Sequence, residues 1–387
     1  MRLSTFAFKY TNFFFANMDI ISKKLFNKQL PIHLQIMLPV GISFYIFQAL
    51  SYLIDVYRKK VCVQKNFIHL LLYVSLFPQL VAGPIVRYET IENEISQRNI
   101  NIDSIFDGAC RFILGLFKKV CFANLYGVSV DKIFAIPFEN LTLNLSWSGL
   151  LLYTLQIYFD FSAYSDMAIG LGKIFGFHFN ENFDMPYTAK NVTEFWRRWH
   201  VSLSSFFRDY LYIPLGGNRK GVWVTYLNTI IVFLVSGLWH GASWTFVVWG
   251  LINGIFLVVN KFVKWNPVGF FSKLLGVVTT FSIWTISLSF FRSRSIPDAW
   301  FVLANIGFDS QERLYEFGLN SLEFGFAVKT LVLIVFFELI IERKKEILYK
   351  VLNSIPIRWL VYVLLPLSIV YLGVYGSSDN SFIYFQF

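Results

Sequence analysis

Apolar residues along this chain gather into long runs separated by short, charged connections. Crossing a bilayer as a helix takes about 20 apolar residues, fewer where protein or water lines the segment. On that measure the pattern predicts spans over residues 34–57, 67–86, 145–161, 222–239, 241–263, 270–291, 324–341 and 357–375. Shorter or more amphipathic stretches at 3–20, 104–136 and 162–178 add to these. The total is about eight to eleven membrane segments in a single domain over 1–387. The expected fold class is an all-α integral membrane protein, with no internal repeat and no low-complexity linker.

One stretch breaks the pattern. Residues 190–220 (KNVTEFWRRWHVSLSSFFRDYLYIPLGGNRK) are too charged to span. Asn191 followed three residues later by Glu194 reads as a helix start, and Pro214 with Gly216 and Gly217 closes the unit. At 100° per residue, Trp196, Trp199, His200, Leu203, Phe206, Phe207 and Tyr210 fall on one face. Glu194, Arg197, Arg198, Ser204, Ser205, Arg208 and Asp209 fall on the other. The pattern predicts one amphipathic helix, lying at the membrane interface or closing a cavity. His200 is the only ionisable residue on its apolar face.

Composition sharpens this. Of the 387 residues, 56% are hydrophobic and 15% charged, against about 25% charged in an ordinary soluble domain. That excludes a soluble globular domain, a disordered chain and a disulfide-stapled module. The formal charge of +10 suits basic loops facing an anionic leaflet, and buried apolar runs argue against nucleic acid as partner. The loops carrying Arg58, Lys59, Lys60 and Lys65, and Arg343, Lys344, Lys345 and Lys350, are expected on the cytoplasmic side. The tail SSDNSFIYFQF, without Lys or Arg, is expected outside. Cys62, Cys110 and Cys121 lack CxxC spacing, so neither disulfides nor cysteine-bound metal are expected. The N-terminus carries no secretory signal pattern.

An ionisable group at membrane depth is costly and usually lines a cavity or does work. His240 lies in SGLWHGASW between two apolar runs; if the helix continues through it, Ser236 and Ser243 share its face. An imidazole there can act as general base toward a hydroxyl, its ordinary pKa lying near neutrality. The alternative is a structural histidine bonded to Ser236 or a backbone carbonyl. His200 is the second candidate, against an interfacial ring turned to water. Gln156, Asp160 and Tyr164 form a polar stripe on one helix face, and Asp166 points about 240° away from Asp160. These carboxylates serve either proton transfer and substrate positioning or helix packing. His33, His69 and His178 are most simply interfacial. A third metal ligand at suitable spacing is not evident, so no metal site is expected. Phosphate-loop and nucleophile-elbow patterns are absent. An acyltransferase and a proton-coupled transporter both remain open on pattern alone.

The blocks FPQLVAGPIVRY (77–88), YFDFSAYSDMAIGLG (158–172), NFDMPYTAKNVTEFWRRWHVSLSSFFRDYLYIPLGGNRKG (182–221) and GLWHGASWTFVVWG (237–250) resemble the membrane-bound O-acyltransferase family. Within it they are most similar to the branch that O-acetylates alginate and other polysaccharides, with teichoic-acid D-alanyl transfer proteins as near relatives. The resemblance implies a ring of helices around a thin centre, crossed by a tunnel. An acyl donor, acetyl-CoA, arrives from the cytoplasm, and a hydroxyl of an exported polysaccharide accepts the group from the other side. The family's catalytic histidine falls on His240 and its second histidine on His200, the latter for positioning or proton relay. Trp196, Trp199, Trp239, Asp160, Ser236 and Ser243 are expected to line the tunnel. Arg197 and Arg198 would meet lipid headgroups or the donor's phosphates. The resemblance also implies an extracytoplasmic, hydrolase-like partner, a bacterial inner-membrane location and further spans ahead of residues 8–14. D-alanyl transfer from a carrier protein is the alternative reaction.

Overall fold

The computed structural model describes residues 2–29, 41–137, 141–265, 267–304, 325, 329–330, 354–375 and 382. Among them there is no strand, and helices account for nearly all regular structure. The fold is all-α and four helical stretches are long and apolar enough to cross a membrane: Ile102–Ala135, Val222–His240, Trp244–Val263 and Phe270–Arg292. The expected span at 324–341, apart from residues 325, 329 and 330, and the basic loop at 343–350 lie outside the described residues.

The chain begins with α1 (Arg2–Phe26) and α2 (Ile42–Tyr57). The expected span at 67–86 is instead two short helices, α3 (Phe67–Ser75) and α4 (Phe77–Leu80), then extended chain. Pro78 at the start of α4 explains the break, because it has no N–H to donate to Val74 O and its ring would clash with that carbonyl in a continuous helix. After α5 (Tyr88–Ser96), α6 (Ile102–Phe117) passes through a π-turn at Lys118–Ala123 into α7 (Asn124–Ala135). The segments expected at 145–161 and 162–178 are one helix, α8 (Leu143–Ile174), buried along most of its length.

Both carboxylates of α8 are held by cations from the α6–α7 stretch. Lys119 Nζ sits 2.5 Å from Asp160 Oδ1, while Arg111 and Lys118 reach Asp166 at 2.9 and 2.7 Å. A π-turn inserts a residue into the helical turn and so rotates the helix beyond it. Here that turn carries both lysines, Lys118 and Lys119, toward α8.

The 190–220 unit departs from the single helix that its pattern suggests. It is α9 (Val192–Arg198), a break at Trp199 and His200, α10 (Val201–Phe207), then a π-turn at Arg208–Tyr212. The start is as read: the Asn191 side chain accepts from Glu194 N at 2.8 Å, and Glu194 Oε2 accepts from Lys190 N at 2.8 Å. The break has a tertiary cause. Asp184 N donates to Arg198 O and Val201 N to Asn182 O, so the preceding loop takes over hydrogen bonds that a continuous helix would use.

Next come α11 (Val222–His240), α12 (Trp244–Val263), α13 (Phe270–Arg292), α14 (Ile296–Ala304) and α15 (Ile355–Leu372). Helices α11 and α12 pack backbone to backbone. A Cβ on Gly237 would lie 2.2 Å from Phe246 O, and one on Gly250 would lie 2.3 Å from Phe233 O. Only glycine allows that approach. Near the start of α11, Lys261 Nζ of α12 donates to Thr229 Oγ1 at 2.8 Å, and Arg58 Nη1 donates to Asp209 O at 3.2 Å.

Candidate functional site

His240 is the last residue of α11 and is buried. The helix does not run on through it: Gly241 is extended, and Ser243 caps α12 by accepting from Thr245 N at 3.3 Å. Ser236 therefore shares the imidazole's face one turn earlier, but Ser243 belongs to the next helix. Around His240 stand Trp239, Trp249 and Phe291, with ring centroids at 4.8, 5.0 and 5.3 Å and edge-to-face geometry. Such a wall excludes water from the ring.

His200 lies in the break between α9 and α10, buried, with φ 45° and ψ 55°. A non-glycine residue in the left-handed region is uncommon and marks either a turn or a functional constraint. Its ring packs edge-on to Phe161 at 4.6 Å and faces Phe44 at 6.4 Å. Asn182 Oδ1 is 3.2 Å from His200 Nδ1 and also receives Ser202 N at 3.2 Å and Ser202 Oγ at 2.8 Å. Because a backbone N–H needs an acceptor, that amide orientation is fixed. Nδ1 of His200 therefore carries the hydrogen, and the ring's lone pair is on Nε2. Burial pushes the imidazole down to about 3, so it is neutral at physiological pH. Both histidines touch Trp239, whose centroid lies 6.3 Å from His200 and 4.8 Å from His240.

A cavity of about 410 Å³ leads inward between α9–α10, α11 and α12. Its inner wall is apolar, with Trp196, Val201, Leu203, Val232, Phe233 and Leu257, and it reaches Ser236. From Ser236 to His240 is four residues, about 6 Å of helix. Outward it shares Thr193, Arg197 and Lys261 with an open basin of about 700 Å³. Lys190, Lys264 and Lys273 complete the basin's cations, and its one carboxylate, Glu194, is paired with Arg198 at 2.5 Å. Arg197 thus opens on the basin, while Arg198 pairs with Glu194 and donates to Thr188 Oγ1 at 2.9 Å.

Of the expected tunnel residues, Trp196 and Ser236 line this cavity and Trp239 bridges the histidines. Trp199 is packed in the aromatic core against Phe183, Tyr187, Phe195 and Trp284. Asp160 is in its ion pair with Lys119, and Ser243 is a helix cap. No group of three metal-ligating side chains occurs among the described residues. Two residues that sequence reasoning passed over stand at the centre. Asn182 orients His200; nothing in the local sequence marks it. Lys9 sends Nζ to Trp239 O at 2.5 Å and to His240 O at 3.4 Å. A lysine inside the apolar stretch 3–20 is the signal that would have found it.

The fold and site define a multi-pass helical membrane protein with two buried histidines and an apolar cavity that opens beside a basic basin and ends one helical turn from His240. Comparison with known proteins makes the class specific. The profile of the membrane-bound O-acyltransferase family matches residues 42–266, and the chain belongs to that family. It is 45% identical to the probable alginate O-acetylase AlgI of Pseudomonas putida over 70% of this chain and 57% of that protein. The Pseudomonas aeruginosa counterpart is 40% identical over 86% and 64%, respectively. The peptidoglycan O-acetyltransferase of Helicobacter pylori is 34% identical over 98% and 79%. The chain thus spans less than two thirds of the length of the alginate O-acetylases it matches. Family membership implies an acyl donor.

Proposed function

We propose that this chain is a bacterial inner-membrane O-acetyltransferase, taking acetyl groups from acetyl-CoA at the cytoplasmic face. The acceptors are hydroxyls of an exported polysaccharide, with an extracytoplasmic hydrolase-like protein as partner. The observation that carries the reading is the passage itself. A basin with Lys190, Arg197, Lys261, Lys264 and Lys273 suits nucleotide phosphates. The adjoining apolar passage suits a thioester arm and ends one helical turn from His240.

His240 serves as general base: it takes the acceptor hydroxyl's proton as the oxygen attacks the thioester carbonyl. The new C–O bond forms, the C–S bond breaks, and the imidazolium returns its proton to the departing thiolate. His200, neutral and held by Asn182, serves as the positioning group: its Nε2 accepts from a polar substrate group or a relay water. The aromatic wall keeps out bulk water, which would otherwise hydrolyse the donor. Asp160 and Asp166, the carboxylates that a proton-coupled transporter would use, are ion-paired with α6–α7 cations, which favours the acyltransferase reading.

The test is acetyl-ester content of the surface glycan in cells carrying His240→Ala at normal membrane levels. The ester is expected to fall to background, and unchanged acetylation would refute the assignment. Lys264→Glu with Lys273→Glu should raise KM for acetyl-CoA at least tenfold (about 1.4 kcal/mol). Dependence on a charged carrier protein instead of acetyl-CoA would redirect the donor to aminoacyl transfer.

A further inference from the structure

The last four carbonyls of an α-helix have no partner within it and must be met from elsewhere. The common solution is a glycine in the left-handed conformation just past the end. In α11 Gly241 is extended, with φ −160°, and its N–H meets only Gly237 O at 3.2 Å. The next three carbonyls are met by two adjacent residues of α1. Tyr10 Oη donates to Leu238 O at 2.9 Å; Lys9 Nζ donates to Trp239 O at 2.5 Å and to His240 O at 3.4 Å. The third hydrogen of the ammonium goes to Ser43 Oγ of α2 at 3.1 Å.

We propose that Lys9 and Tyr10 are positioning residues for His240, fixing the imidazole by closing the carbonyl end of the helix that carries it. A lysine among apolar helices is costly to keep, and a glycine cap would satisfy the same carbonyls without it. Among the described residues no carboxylate lies within ion-pair distance of Lys9. Its three donors instead match three neutral oxygens, two of them carbonyls at the negative end of the α11 dipole and the third Ser43 Oγ. The same helix also holds the other side of the turn: Trp244 Nε1 donates to Asn17 Oδ1 at 2.8 Å, and Phe13 packs on Trp244 at 5.7 Å. Residues 240–244 are thereby tied to α1 at both ends. Loosening the last turn of α11 would let His240 leave its place between Trp249 and Phe291.

This inference rests on His240 being the base, and the experiment separates the two. Full-length protein in nanodiscs is supplied with acetyl-CoA and mannuronate oligosaccharide, and thiol release is followed. Lys9→Met is expected to lower kcat on the order of 10²-fold, the penalty of a small misplacement of a catalytic group. KM for acetyl-CoA should stay within about twofold, because the basin lies at the other end of α11. Added ethylammonium should restore part of the rate to Lys9→Ala and none to His240→Ala. Tyr10→Phe, which removes the hydroxyl that donates to Leu238 O, should show the same kcat-only loss at smaller size, and it covers the case of Lys9 variants failing to fold. Wild-type kcat in both Lys9→Met and Tyr10→Phe overturns the proposal. So does a parallel change of KM and kcat with no amine rescue. Full turnover by His240→Ala would instead remove the base assignment itself.

Discussion

The approach of α11 and α12 offers the sharpest test of how packing sets the site. Replacing Gly237 with alanine places a Cβ 2.2 Å from Phe246 O and 3.4 Å from Gly250 Cα. Ordinary contact begins at 3.4 Å, so the helices must separate by 3.4 − 2.2 = 1.2 Å along that direction. Neither atom is a flexible side chain that can step aside. Overpacking of this kind costs about 1–3 kcal/mol, which a protein with this much buried surface survives. The chemistry is less forgiving. His240 rides on α11 and Trp249 on α12, at 5.0 Å, and a shift near 1 Å at a catalytic group costs on the order of 10²-fold in rate. Gly237→Ala should therefore fold and insert, melt a few degrees lower by fluorescence-detected size exclusion, and lose about two orders of magnitude in kcat. Wild-type turnover in a protein with wild-type melting would refute the argument, since it would show that the backbones can part without disturbing the site.

The remaining predictions concern the residues around it. Asp160→Leu alone should destabilise by about 3–5 kcal/mol by stranding Lys119, whereas Asp160→Leu with Lys119→Met should restore stability; if the double variant is stable yet inactive, Asp160 does more than pack. Asn182→Ala should lower kcat at least tenfold at unchanged protein level by loosening the His200 ring, with Asn182→Asp partly sparing it, as read from initial rates. Burial works to raise the Asp209 carboxyl, but hydrogen bonds from Arg208 and Arg87 outweigh it and hold the group below its usual range. That stability is present above the unfolded value, near 4, and is lost as pH falls through the folded one. Asp209→Asn should thus cost about 1 kcal/mol at pH 7 and nothing at strongly acid pH, measured by thermal melts across pH.

Much of this was legible from residue order because it depends on neighbours along the chain. The apolar runs at 222–239, 241–263 and 270–291 became α11, α12 and α13 nearly residue for residue. Asn191 capped α9 as its spacing with Glu194 implied. The misreadings were set by distant parts of the chain. Periodicity carried one helix through His200, whereas Asn182 takes the hydrogen bonds of that turn and forces the backbone left-handed. Asp160 pairs with Lys119 of the π-turn, 41 positions away, a partner that its helix stripe does not reveal. Lys9 meets His240 across 231 positions of sequence, which no local pattern encodes.

The glycine-to-carbonyl contact between α11 and α12 also has a mechanical consequence. Two helices joined through their backbones and tied again at one end by Lys9 and Asn17 resist being moved apart. Any opening that lets a donor in or a product out must bend something else. The opposite wall of the passage is α9–α10, a chain with one joint at His200 and another at the π-turn of Arg208–Tyr212. A change in the width of the passage would therefore fall on that wall, which carries His200, and not on α11, which carries His240.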